Sequence, residues 1–222
     1  MSTAVVKAHY QDPAVAGAYD RERFTPWAGR LFDFLEKRAI RRLLRAPLHE
    51  HPALSMLDVP CGTGRITELL LQLGTVVAAG DISAEMIDVA RARLCPAGKR
   101  LEFRPLDLDH LNLPDRSFDL VTCIRLFHHL DSPSRQRVLA ELARVSRRYV
   151  LINVSLSTPF YRLRRRLKRL LGQGVSRESS MPQDILREAS AAGLVVRARA
   201  FAARWLSEDL VLLLEHADHR GR

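Results

Sequence analysis

Asp58 closes a short apolar run and is followed at once by Val59, Pro60, Cys61, Gly62, Thr63 and Gly64. Glycines in such a loop let the backbone come close to a ligand, because no Cβ intervenes. A second carboxylate, Asp81, falls about 20 residues beyond the loop, at the end of another apolar run. That is where an acidic group takes both ribose hydroxyls of a nucleotide-like cofactor. Asp107 and Asp109 follow a third run, and Arg125, His128 and His129 follow a fourth. Imidazole titrates near neutrality and suits a general base. Each feature also has a plain structural reading. The loop reads equally as a strand-to-helix turn, Asp81 as a helix cap, and one histidine as a packed ring beside a solvated one. Adjacent histidines point different ways and no third ligand lies near them, so no metal site is expected.

The elements needed to place these residues are legible as alternating runs. Strands are predicted over 54–59, 75–80, 101–105, 118–124 and 149–154. Between them come helices over 65–73, over 84–94 with Ser83 as N-cap and Glu85 in the first turn, and over 134–145 opened by Ser132 and Pro133. Alternation of this kind argues for a doubly wound, mostly parallel sheet. A further helix over 182–192 stops at Gly193. Two runs without a helix between them, 194–202 and 210–215, then read as an antiparallel pair. Upstream, 27–45 carries Leu31, Phe34, Leu35, Ile40, Leu43 and Leu44 at helical spacing, with Pro47 and Pro52 bracketing a loop before the first strand.

At 222 residues and 47% hydrophobic, the chain fits one α/β domain, or one domain with a small cap. It contains no apolar run of about 18 residues, and its first residues lack a signal-peptide pattern. Cys61, Cys95 and Cys123 are scattered, as reduced cytosolic thiols are. The net charge is +10. A window from 142 to 177 holds ten basic residues and no acid, so the rest reads as a neutral domain beside one basic patch.

The order of these features resembles the class I S-adenosylmethionine-dependent methyltransferases, in particular the small ubiquinone-biosynthesis-like branch. The resemblance covers roughly 54–154. It implies a Rossmann-like sheet of seven strands with the last antiparallel, an N-terminal helical lid over 1–53, and a core over 54–222. A basic helical cap over 155–180 follows the fifth strand. The first loop resembles the family's Gly-Cys-Gly-Thr-Gly turn, with Pro60 in place of the first glycine. The resemblance implies S-adenosyl-L-methionine as cofactor. Asp58, Cys61, Gly62 and Gly64 would lie around its methionyl part, with Asp81 on the ribose. Ile82 and Met86 would lie on the adenine faces, and Asp107 and the Leu108 N–H at the adenine edge. The segment from Asp107 to Asp119 resembles the family's Asp-Ala-Glu-x-Leu-Pro-Phe-Pro-Asp-x-Ser-Phe-Asp without a gap. Asp109 is the fallback for Asp107, and Asp119 is read as structural. His128 and His129 match the family's His-His-Leu, one of them a candidate base. Arg125 faces the same crevice, and Tyr19 and Arg23 match the lid.

The implied reaction is in-line methyl transfer to oxygen or carbon of a small, amphipathic or lipid-like acceptor. Ile124, Arg125, Leu126 and Phe127 replace the Pro-Pro motif of enzymes acting on base amino groups. The stretch 160–171 sets Leu163, Leu167, Leu170 and Leu171 on one helical stripe among arginines, with Phe160 and Tyr161 at its edge. Three uses compete for it: docking on anionic membrane, binding an anionic soluble substrate, and binding RNA. The first is favoured, which places the protein in the cytoplasm and at the inner face of a membrane. Interleaved aromatics for base stacking are missing, which disfavours nucleic acid. A catalytically silent relative and an NAD-dependent oxidoreductase are the remaining alternatives.

Overall fold

The computed structural model describes residues 26–73, 76–94, 100–155, 182–202 and 209–219. In chain order these form α1 (Trp27–Glu50), β1 (Ser55–Asp58), α2 (Arg65–Gln72), β2 (Val76–Asp81), α3 (Ala84–Leu94), β3 (Leu101–Pro105) and β4 (Phe118–Cys123). There follow a 3-10 turn (Phe127–His129), α4 (Ser132–Val145), β5 (Ser146–Ser155), α5 (Pro182–Ala191), β6 (Leu194–Phe201) and β7 (Asp209–His216). Tyr19, Arg23 and the basic stretch 160–171 lie outside the described residues.

One seven-stranded sheet runs in the order β3-β2-β1-β4-β5-β7-β6. The first five strands are parallel, and β7 runs antiparallel to both neighbours. The expected doubly wound sheet with a reversed last strand is therefore present. Chain order reverses direction at β1, where β2 lies to one side and β4 to the other. The crevice at the carboxyl ends of these strands is where ligands settle in such sheets. Fully buried Leu57, Val121, Val150 and Ile152 face one helical layer, and Met56, Leu120 and Leu151 face the other. Burial on both sides explains why β4 and β5 read as nearly continuous apolar runs.

Helix starts follow their capping chemistry. Ser83 Oγ accepts from the Met86 N–H at 3.1 Å, as a serine N-cap should. The α4 helix starts two residues earlier than expected, because Asp131 accepts from the Ser134 N–H at 3.1 Å and Pro133 fills the first turn.

Three expectations fail. The first helix does not stop at Arg45: it continues through Pro47 to Glu50, with Pro47 buried. The lost backbone bond is tolerated where the ring itself packs into the interior. The apolar face of α1 is also displaced. Leu31 and Phe34 are 42% and 57% exposed, while Glu36 is buried beside Ile40, Leu43 and Leu44. Nor is the basic window a single patch. Arg144 pairs with Glu141 one helical turn before it and with Asp115, and Arg147 pairs with Asp119, so acids outside the window neutralise that part of the run.

Candidate cofactor and substrate site

The loop after β1 is shaped by two residues in left-handed conformation, Gly62 (φ 50°) and Gly64 (φ 80°). A Cβ on Gly64 would stand 3.0 Å from the Leu94 side chain and 3.1 Å from that of Ala90, so glycine lets the loop seat against α3. A Cβ on Gly62 would meet nothing within 4 Å, and this face of the loop is open. Pro60 follows a cis peptide bond with Val59. The Cys61 N–H donates to the Gly80 carbonyl at 2.7 Å, tying loop to strand. Burial pushes the Cys61 thiol well above its ordinary range, and Cys123, likewise buried, behaves the same way. Neither is a nucleophile at neutral pH.

Asp58 and Asp81 divide the work around this loop. Asp58 is turned inward, accepting from Thr67 Oγ1 at 2.6 Å and from Thr122 Oγ1 at 2.7 Å. Burial pushes its carboxyl up to about 6, against the pull of the two hydroxyls. It ties β1 to α2 and β4 beneath the loop. Asp81 accepts from the Gly62 N–H at 2.9 Å and from the Ser83 N–H at 3.0 Å. Burial raises its carboxyl too, with those N–H groups opposing. A carboxylate has about four lone-pair positions, so two amide donors leave it able to accept further hydrogen bonds.

The loop after β3 places Asp107 half-buried, with its Oδ1 accepting from the Asp109 N–H at 2.9 Å. Leu108 is buried beside it. This loop is fastened from below by α4. Glu141 accepts from the Leu111 N–H at 2.9 Å, and Arg144 donates to the carbonyls of Leu111 at 2.7 Å and Leu113 at 2.8 Å. Ile82 is half-buried and Met86 buried at the start of α3.

Beyond β4, Arg125 takes a left-handed backbone (φ 66°), and its N–H donates to Asn153 Oδ1. Its Nε donates to Glu36 Oε2 at 3.1 Å, and its guanidinium lies 4.7 Å from the centre of the Phe32 ring. Arg65 also reaches Glu36, at 3.3 Å, and pairs with Asp33. Asn153 Nδ2 lies 3.5 Å from the other Glu36 oxygen. Burial raises the Glu36 carboxyl, with Arg125 pulling the other way. Sequence reasoning missed Glu36, Arg65 and Asn153. A signal existed in Glu36, which sits mid-helix one turn before Ile40 and on its side of α1. His128 is buried and His129 half-exposed, with ring centres 4.1 Å apart. Among the described residues no group of three His, Cys, Asp or Glu is placed to hold a metal ion.

Comparison with known proteins bears on this arrangement. Residues 56–148 match the family described as methyltransferase domain. The chain is 32% identical over 80 residues to a ubiquinone biosynthesis O-methyltransferase of Coxiella burnetii, covering 36% of this chain and 34% of that protein. It is 34% identical over 80 residues to the protein of the same name in Xanthomonas axonopodis pv. citri. The chain thus aligns with about a third of the length of these relatives. Its fold is similar to magnesium protoporphyrin IX methyltransferase from Synechocystis PCC 6803 with bound SAH. There the TM-score is 0.80 at 17% identity, over 97% of this chain and 100% of that one. A S-adenosylmethionine-dependent methyltransferase from Clostridium acetobutylicum ATCC 824 gives a TM-score of 0.65 at 16% identity, over 91% and 98%. The strand order and the reversed β7 give the chain the fold of these methyltransferase structures, and residues 56–148 carry the match to a methyltransferase domain.

Proposed function

We propose that this protein moves a methyl group from S-adenosyl-L-methionine to an oxygen or carbon of a small amphipathic acceptor. The observation that carries the reading is Asp81. Its carboxylate is held by two backbone N–H groups at the carboxyl end of β2, beside the open face of Gly62. That arrangement fits a ribose diol, which needs an acceptor of fixed orientation and a backbone that allows close approach. Bound there, S-adenosylmethionine supplies a methyl group already activated on a sulfonium.

The chain's own residues then bind and orient. Gly62 and Gly64 shape the floor under the methionyl part, with Asp58 and Cys61 fixing that floor from beneath. Ile82 and Met86 offer apolar surface to the adenine, and Asp107 with the Leu108 N–H reads its edge. Arg125, anchored by Glu36 and Asn153, sets a cation at the mouth of the crevice. Tyr19 and Arg23 complete the lid in this reading. Holding donor and acceptor in line supplies much of the acceleration. A phenolic acceptor needs little help from a base, whereas a carbon acceptor needs a proton removed. His129, half-exposed, is better placed for that than the buried His128.

The acceptor class rests on the relatives named for ubiquinone biosynthesis and on the basic stretch 160–171, read as a contact with anionic membrane. Incubating the full chain with methyl-labelled S-adenosylmethionine and a cell extract tests it. Label is expected in the organic-soluble fraction. Label confined to nucleic acid, or none above a boiled control, overturns the reading.

A further inference from the structure

The outward face of α1 is an unusual surface for a helix packed on a sheet. Trp27, Leu31 and Phe34 stand 78%, 42% and 57% exposed, at spacings of four and three residues, and so share one side of the helix. The same side continues toward the C-terminus as exposed Arg38, Arg41, Arg42 and Arg45, with Arg30 at its flank. Every acid of α1 lies off this face. Asp33 is paired with Lys37 and Arg65, Glu36 is buried, and Glu50 pairs with Arg197. Among the described residues Arg30, Arg38, Arg42 and Arg45 meet no acidic partner, and Arg41 donates only to neutral Gln72 at 2.8 Å.

We propose that this face of α1 docks the protein on an anionic lipid bilayer, with Trp27, Leu31 and Phe34 entering the interface and the arginines resting on headgroups. The charge and the apolar residues each argue for a bilayer. A purely electrostatic partner would not need three large apolar side chains in water, and an apolar protein partner would not need a row of uncompensated guanidinium groups. A helix with Trp, Leu and Phe beside an arginine-rich polar surface, lying flat, matches an interfacial segment. The geometry also aims the site. Asp33 and Glu36, one and two residues from Phe34 along the helix, bond to Arg65 behind the Gly62 loop and, from Glu36, to Arg125 after β4. The apolar half of the face therefore sits at the crevice end of the sheet. The opposite end of α1 reaches the start of β5 through Glu50 and Tyr149. Docked this way, the crevice mouth lies near the membrane surface. The face is made of other residues than 160–171, and the proposal stands whatever the methyl acceptor is.

The test uses the full chain with vesicles of neutral phosphatidylcholine alone or mixed with phosphatidylglycerol. Replacing Trp205 by Phe leaves Trp27 as the sole tryptophan. Its emission should then shift to the blue with anionic vesicles, be quenched by brominated lipid, and recover as salt is raised. Each arginine near an anionic surface contributes about 1 kcal/mol, so Arg38→Glu, Arg42→Glu and Arg45→Glu together should weaken partition about 100-fold or more. Trp27→Ala with Phe34→Ala, both at exposed positions, should weaken it about tenfold or more with melting unchanged. Vesicle binding that survives these changes but disappears when Arg164, Arg165 and Arg166 are replaced assigns docking to the other stretch and overturns the proposal. So does a Trp27 signal produced by self-association or by RNA and not by vesicles.

Discussion

Gly62, Asp81 and Ser83 meet through backbone N–H groups, over separations of 19 and 2 residues. Glu36, Arg65, Arg125 and Asn153 meet through side chains drawn from different elements, over separations of 28 to 117 residues. The two regions lie at the same end of one sheet and differ in what fixes them. In the first, loop conformation and strand ends dictate the geometry, and little depends on distant parts of the chain. In the second, a buried carboxylate is tolerable only because two guanidinium groups and an amide converge on it. The loop region therefore ought to respond to mutation chiefly in ligand affinity, and the ion cluster chiefly in stability and in the attachment of α1.

The contrast can be broken most sharply at Glu36. Glu36→Ala leaves buried Arg65 and partly buried Arg125 without their shared counter-charge and should cost about 3–5 kcal/mol in chemical unfolding. A change near zero would show that the cluster adds nothing to the attachment of α1. Next in size, Asp81→Ala should weaken binding of S-adenosylmethionine about 100-fold or more in equilibrium dialysis, with melting little altered, because two charge-assisted hydrogen bonds to the ribose are lost. Unchanged affinity would place the ribose elsewhere.

Asp58 gives a pH test with a definite sign. Its folded carboxyl, at about 6, lies above the unfolded value near 3.8, so the folded state holds the extra proton between them. Stability should therefore fall as pH rises from about 4 to 6, by about 3 kcal/mol from this group, and level off above. Burial of Glu36 and Asp81 acts in the same direction. In Asp58→Asn the Asp58 share of the slope should vanish in urea titrations across that range, and an equally steep curve would contradict the assignment. The smallest effect is expected at Gly80, where an added Cβ would stand 2.5 Å from Leu106 Cδ1 and 3.1 Å from its Cβ. Gly80→Ala should cost about 1–3 kcal/mol by crowding β2 against the loop after β3.

The same contrast explains what the sequence disclosed. Strand and helix periods, the Ser83 cap and the Gly62–Asp81 spacing are local, and each was readable from neighbouring residues. The doubly wound sheet followed from alternation alone. Glu36 shares the Ile40 side of α1, a hint of burial, but its role was not readable, because the convergence of Arg65 and Arg125 on it exists only in the fold. The exposure of Trp27, Leu31 and Phe34 was hidden for the converse reason: helical spacing marks an apolar stripe without telling which stripe the sheet covers. Arg144 and Arg147 looked like part of a basic patch because Asp115 and Asp119 reach them only in the fold, and Glu141, one turn from Arg144, lies just outside the window. The position of Pro47 inside α1 depends likewise on burial that no local rule supplies.

The central claim concerns the crevice at the carboxyl ends of β1, β2 and β4, and calorimetric titration of the full chain tests it most directly. Heat of binding is expected with S-adenosylmethionine and S-adenosylhomocysteine, and none with NAD. Heat with NAD and none with either sulfur ligand would contradict the account.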